Sequence, residues 1–250
     1  MSFTFNLKSS RLYLLNSTQQ TRMRLYRVLN AVYRSCLRSK FQRDFEVADD
    51  EHGIGKVLIL KGDWSQRIHT YMLNNEVFAL RLTDAFGFKG SDLSFLSNLS
   101  FLRSLEIYCW DAKGVEVIES LPQLEVLGLQ FKSTKTINFS AFLKLRVALL
   151  TWSKGLGSIL ELSSLEKLNI QNYPHRDLAP ITSMVELKQL YLTSRKLESL
   201  NGIKKLEKLE LLDLYNCPFL KNISDAEQHI NLKAIEIEAC NRVQARQVKV

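Results

Sequence analysis

Leucine returns on a near-fixed schedule through most of this chain, and no other feature constrains the fold as tightly. Segments of the form LxxLxL align as nine copies: GKVLIL at Gly55, VFALRL at Val77, LRSLEI at Leu102, LEVLGL at Leu124, LRVALL at Leu145, LEKLNI at Leu165, LKQLYL at Leu187, LELLDL at Leu209 and LKAIEI at Leu232. Their central apolar residues are Leu58, Leu80, Leu105, Leu127, Ala148, Leu168, Leu190, Leu212 and Ile235, spaced 22, 25, 22, 21, 20, 22, 22 and 23 residues apart. The three defining positions are apolar in 26 of 27 instances, Gly55 being the exception. An apolar content of 46% gives about 12 by chance, so the periodicity is a property of the fold and not of composition.

Two periods coexist within each copy. The LxL alternation has period two, which predicts a short strand with those side chains on one face. Upstream the apolar period is three, as in Leu93, Leu96, Leu99 and Leu102, or Leu197, Leu200, Ile203, Leu206 and Leu209. That spacing suits a 3₁₀ turn or short helix returning across the outside. One strand and one return cannot bury their apolar face alone. Nine of them, stacked at about 4.8 Å, form a continuous core beneath a parallel sheet roughly 40 Å long.

These copies resemble leucine-rich repeats of the short class, about 22 residues, seen in internalins and in phosphatase-regulatory leucine-rich proteins. The resemblance covers residues 54–240 and implies an α/β solenoid: a parallel sheet on the concave side, short helical or 3₁₀ segments on the convex side, and a concave surface that binds another macromolecule, usually a protein. One column departs from the family pattern. Five residues after each central position, where the family places Asn in a ladder to backbone groups, the chain has Asp63, Ala85, Trp110, Lys132, Ser153, Tyr173, Arg195, Cys217 and Cys240. The 25-residue copy, with its insert around 85–91, is expected to bulge.

Charge divides the chain where the repeats begin. Residues 1–43 hold nine basic side chains and no Asp or Glu, so the +8 net charge comes from this segment; the rest carries 25 basic against 26 acidic groups, a net of −1. Within 17–41, Leu25, Val28, Leu29, Val32 and Cys36 fall at helical spacing, predicting an amphipathic helix that caps the first repeat. A mitochondrial presequence, a contact to anionic lipid and a nucleic-acid contact are the competing readings of the same basic, acid-free segment. The expected division is therefore 1–50 for the basic capping segment, 51–241 for a solenoid of about nine repeats and 242–250 for a tail.

Other classes find little support. The longest apolar run is four residues, as at 147–150, far below the roughly 18 of a membrane-spanning helix. Four scattered cysteines do not make a disulfide scaffold, although Cys217 and Cys240, one repeat apart, fall within reach of each other. With no apolar core of a secretory signal near the N-terminus, a reducing cytoplasmic setting is expected, a mitochondrial one being the alternative. His52, His69, His175 and His229 stand in no metal-ligand or catalytic spacing, and no phosphate-binding glycine loop or nucleophile elbow occurs. No catalytic residue, cofactor or metal is expected. His229 falls in the period-three column before Leu232 and is expected to be a buried, hydrogen-bonded core residue.

The binding residues are expected on the concave face, at the positions one and three after each central residue. Arg81, Glu106, Tyr108, Gln130, Tyr191, Asp213, Tyr215, Glu236 and Glu238 fall there, joined by Trp152 at the strand exit. Tyrosines supply contact area with a polar tip, and Asp213, Glu236 and Glu238 on adjacent strands form an acidic patch suited to a basic partner protein. Trp110, Phe131, Trp152 and Tyr173, each 21 residues apart, read equally well as an exposed aromatic ridge or as a spine filling the space of the missing Asn ladder. The expected function is thus a non-catalytic protein-binding scaffold. The alternatives are a protein addressed by its N-terminal segment or a structural subunit of a larger assembly.

Overall fold

The computed structural model describes residues 44–90, 92–132 and 135–243. It is a single ten-stranded sheet with strands in chain order: β1 (Phe45–Asp49), β2 (Lys56–Leu60), β3 (Ala79–Thr83), β4 (Ser104–Tyr108), β5 (Val126–Gln130), β6 (Val147–Thr151), β7 (Lys167–Gln171), β8 (Gln189–Thr193), β9 (Leu211–Tyr215) and β10 (Ala234–Glu238). The nine repeat strands are parallel, and their central residues lie directly opposite one another, from Leu58 on Leu80 to Leu212 on Ile235. Register is strict for a simple reason. A one-residue slip would turn Leu105 and Ile107 outward and Ser104 and Glu106 into the core.

The period-three leucines do what their spacing predicts. The amide of each of Leu96, Leu99 and Leu102 donates to the carbonyl three residues back, and Ile203, Leu206 and Leu209 repeat the pattern. With three residues per turn these side chains fall in one line and point inward together; all six are fully buried. The return segments are accordingly mostly 3₁₀, as at Ser94–Asn98, Val115–Ser120 and Lys154–Glu161. Two are α-helical: α1 (Gln66–Asn74), where Ile68 and Met72 are spaced i, i+4, and the single turn α2 (Ser224–Glu227). The insert of the long repeat forms a 3₁₀ turn at Asp84–Phe86, after which Phe88 folds into the core at 2% exposure.

β1 is an element the repeat pattern does not contain. It runs antiparallel to β2, placing Phe45 on Leu60 and Val47 on Leu58, and so covers the N-terminal edge of the stack. It falls within the span 1–50 expected to cap the repeats, just after the acid-free residues 1–43. The amphipathic helix expected over 17–41 lies outside the described residues.

Where the family's Asn ladder is missing, main-chain bonds between successive coils take its place. Lys132 donates to the Trp110 carbonyl at 2.9 Å, Trp152 to Gln171 at 2.8 Å, Tyr173 to Thr193 at 2.9 Å and Asn216 to Glu238 at 2.9 Å. Ser194, 1% exposed, acts as a local ladder residue: its hydroxyl donates to the Tyr173 carbonyl at 2.7 Å and accepts from the amides of Lys196 and Leu197. Phe131 and Tyr173 are buried in the core, while Trp110 and Trp152 are half-buried. For Phe131 and Tyr173 the aromatic series is a spine and not a ridge. Cys217 and Cys240 are free buried thiols, the Cys217 amide lying 3.4 Å from Cys240 Sγ, and the hydrogen bond with Cys240, followed by burial, pushes the Cys217 thiol up. His229 is buried as expected, but its Nδ1 has no partner among the described residues.

Candidate functional site

Strand alternation puts the first, third and fifth residues of each repeat strand from β3 onward on the face opposite the leucine core, and every strand residue singled out from the sequence holds the third or fifth position; Trp152 follows the end of β6. What the alternation does not give is exposure. Arg81, Tyr108, Gln130, Trp152, Tyr191 and Glu236 are half-buried and Glu238 is exposed. Glu106, Asp213 and Tyr215 are buried, at 2%, 1% and 8% exposure, so they are not open surface. Of the acidic patch expected from Asp213, Glu236 and Glu238, only the last two retain accessible carboxylates.

Glu106 is the centre of a buried charge cluster. Its Oε1 accepts from Arg81 Nη2 at 2.7 Å, with the two side chains 2% and 12% exposed. Burial alone raises the Glu106 carboxyl. The adjacent guanidinium outweighs it, with smaller help from His52 and the Tyr108 hydroxyl, and holds the group below the ordinary carboxylate range. Burial and the neighbouring Glu106 together push the Tyr108 phenol well above its usual value. Gly128 on β5 makes room for this arrangement, since a Cβ there would lie 2.6 Å from Tyr108 Oη and 3.0 Å from Glu106 Cγ.

The cover over this cluster comes from the turn between β1 and β2. Residues 50–55 fold across the inner wall, and Ile54, 5% exposed, sits among Val57, Ala79, Val126 and Val147. Arg146 Nη2 lies 3.4 Å from the His52 carbonyl, 94 residues away in sequence. Burial lowers the His52 imidazole from its ordinary 6.5, partly offset by Glu106 and Asp50. A sequence reading based on repeats misses this turn because it precedes the first well-formed copy; its signal is the pair of glycines flanking Ile54.

Beyond the turn, the wall over β7 and β8 is polar. Asn169, Gln171, Gln189, Tyr191 and Thr193 are half-buried, and Lys167 Nζ stands 5.2 Å from the centre of the Tyr191 ring. The Tyr191 hydroxyl lies 3.4 Å from Gln189 Oε1. Another polar hollow, about 310 Å³, opens at the strand exits and is lined by Asn172, Thr193, Ser194, Arg195 and Asn216.

A second column was also missed. Two residues before each of the last seven central positions the chain reads Arg103, Glu125, Arg146, Glu166, Lys188, Glu210 and Lys233, alternating in sign throughout. Neighbours pair: Arg103 with Glu125 at 2.5 Å, Arg146 with Glu125 at 3.2 Å, Lys188 with Glu166 at 3.0 Å and Lys233 with Glu210 at 3.0 Å. The same residues form a main-chain ladder, each amide donating to the carbonyl of the column residue before it.

No family model and no curated protein matches the sequence. Solved structures do. An internalin C2 from Listeria monocytogenes str. 4b F2365 matches with a TM-score of 0.53 at 22% identity, over 72% of this chain and 80% of that one. A second internalin of the same strain matches with a TM-score of 0.49 at 18% identity, over 68% of this chain and 54% of that one. At 22% identity the first likeness concerns the fold alone, and the fold it shows is the leucine-rich-repeat solenoid of the internalins.

Proposed function

We propose that this chain is a non-catalytic scaffold that docks another protein along the inner wall of β7 to β10. The observation that carries the reading is the make-up of that wall. Asn169, Gln171, Gln189, Tyr191 and Thr193 stand half-buried, at strand spacing, on a sheet whose register leaves them little freedom. Side chains already fixed by their neighbours lose little entropy when a partner arrives, and a tyrosine among them offers large contact area with a polar tip. Glu236 and Glu238 at the C-terminal end favour a partner surface bearing Lys or Arg, acting mainly on encounter rate and orientation.

Affinity capture with the full chain tests this, run beside an Asn169→Ala/Tyr191→Ala variant and a Lys205→Glu variant on the opposite, convex side. A protein retained by the parent and by Lys205→Glu, but at least tenfold depleted with the inner-wall variant, is the expected result. Equal retention on all three overturns the placement. Tyr215 is left intact in this test because at 8% exposure its truncation would also lower stability.

A further inference from the structure

Cys217 and Cys240 share one column, five residues after the central positions Leu212 and Ile235, which lie directly opposite each other on β9 and β10. Each follows a residue in the left-handed region, Asn216 at φ 52° and Ala239 at φ 57°. Both strands therefore leave the sheet by the same turn and deliver their cysteines one coil apart. Paired strands stand about 4.8 Å from each other, within the roughly 4.4–6.8 Å between Cα atoms at which a disulfide closes. The thiols are already hydrogen-bonded. The Cys217 amide donates to Cys240 Sγ at 3.4 Å, and the Cys217 thiol bonds to the same sulfur.

The two thiols are not equivalent. Cys240 accepts both bonds, which favour its thiolate and bring it below the ordinary thiol range against the opposing effects of burial and the Asp213 carboxylate. The same pairing pushes Cys217 up. Cys217 is fully enclosed, whereas Cys240 is 7% exposed. It also belongs to the coil of β10, the last strand of the described sheet, where residues 234–237 are only half-buried and Glu238 is exposed. A sulfur that favours its thiolate, with a second thiol touching it, is the arrangement in which one cysteine is oxidised and its neighbour resolves the product.

We propose that Cys217 and Cys240 form a reversible oxidation site for hydrogen peroxide, with Cys240 attacking and Cys217 resolving, and that the resulting disulfide fastens the coil of β10 to that of β9. In the first step the Cys240 thiolate attacks one peroxide oxygen. An S–O bond forms, the O–O bond breaks, and the departing hydroxide takes up the proton Cys240 gave up on ionising. In the second step the Cys217 sulfur attacks the Cys240 sulfenic acid. The S–S bond forms, the S–O bond breaks, and the departing hydroxide leaves as water with the Cys217 proton. The two thiols together lose two electrons and two protons, and the peroxide becomes two waters. Glu236 and Glu238 stand on the fastened coil. That the disulfide thereby holds the acidic end of a docking wall rests on the function proposed above; the disulfide itself does not.

The test treats the reduced full chain with hydrogen peroxide, alkylates the remaining thiols and digests with trypsin, which cuts after Lys221 and Lys233 between the two cysteines. The expected product is a linked peptide pair carrying Cys217 and Cys240, at least tenfold more abundant than any disulfide of Cys36 or Cys109 and lost on treatment with a dithiol. Its absence, or its formation only when the chain is oxidised in urea, overturns the proposal. A sulfenic-acid trap reads the order of the two thiols. Cys240 in Cys217→Ser should label at least tenfold faster than Cys217 in Cys240→Ser, and equal or reversed labelling refutes the assignment. Should either variant not fold, alkylation rates in the reduced parent decide: Cys240 is expected to react at least tenfold faster than Cys217, and equal or slower reaction refutes its role. Hydrogen exchange reads the fastening. The amides of β10 should exchange at least tenfold more slowly in the oxidised chain than in the reduced one, and unchanged exchange overturns that step. None of these readouts involves a partner, so their failure leaves the reading of the inner wall intact. Undiminished capture by the inner-wall variant, in turn, leaves the linked peptides unaffected.

Discussion

Replacing Glu106 with Gln removes one charge from the inner wall while keeping its shape, and the structure sets the expected cost. The Arg81 and Glu106 side chains are 12% and 2% exposed and meet at 2.7 Å. Their direct attraction is about 6 kcal/mol at an effective dielectric constant near 20, but both charges were desolvated to reach that geometry, so the net worth of the pair is far smaller. Breaking such a pair costs about 3–5 kcal/mol because the remaining charge stays buried and uncompensated. Glu51 also acts on Arg81, which puts the expected loss at the lower end, about 3 kcal/mol. In a chain of this size that corresponds to a fall in Tm of roughly 6–12 °C. Urea denaturation followed by circular dichroism at pH 7 measures it. The double variant Arg81→Met/Glu106→Gln leaves no buried charge of the pair and should recover at least about 2 kcal/mol relative to the sum of the single losses. A Glu106→Gln variant within about 0.5 kcal/mol of the parent, or single losses that simply add, would show that the pair is not the buried, coupled unit described.

Three further outcomes follow from the same geometry. Since His52 titrates below its ordinary 6.5 when folded, the unfolded chain binds its proton first, and stability should fall as pH drops from 6.5 toward the depressed value; His52→Gln should lose this limb of the urea-midpoint profile, and identical slopes would refute the assignment. A Cβ at Gly155 would overlap the Lys135 carbonyl, whereas one at Gly157 meets nothing within 4 Å, so Gly155→Ala should cost about 1–3 kcal/mol and Gly157→Ala almost nothing. Glu166→Lys puts a third cation between Arg146 and Lys188, making three in succession, and should cost about 1 kcal/mol at low ionic strength, shrinking in 1 M salt; a salt-independent loss would point to packing instead.

The repeat strands and their register were legible because the demand that produces them is local and repeated. Each LxL has one face that must be buried, and nine such demands at near-equal spacing are met together when the coils stack side by side. The 3₁₀ returns were legible for the same reason, through Leu93, Leu96, Leu99 and Leu102. β1 was not, because FEVAD offers only Phe45 and Val47 as large apolar signals, and its pairing with β2 depends on a turn that no repeat contains. Exposure on the inner wall was legible only in part. Alternation states that Glu106 points away from the leucine core, but whether it meets water depends on residues 50–55, which arrive from outside the repeat frame. Phe131 and Tyr173 stayed ambiguous because a ridge and a spine demand the same spacing, and only packing separates them.

The leucine core that makes the fold legible cannot by itself order the repeats, since one coil's Leu-x-Leu fits its neighbour's neighbour almost as well as its neighbour. Two features of the chain break that equivalence. The first is volume. Ala148 is the one small residue among the nine central positions, and its coil carries Phe139 and Phe142, buried with ring centres 5.7 Å apart, on the return segment. The second is the column Arg103, Glu125, Arg146, Glu166, Lys188, Glu210 and Lys233. Adjacent members differ in sign and alternate members agree, so looping out any one interior coil brings two like charges together at the strand entrances. Each exposed pair is worth only about 0.2–1 kcal/mol. Their effect is on the difference between correct and slipped stacks, which apolar burial leaves small. In this solenoid the leucines supply the drive to stack, and the alternating charges and the Ala148 coil determine which coil lies next to which.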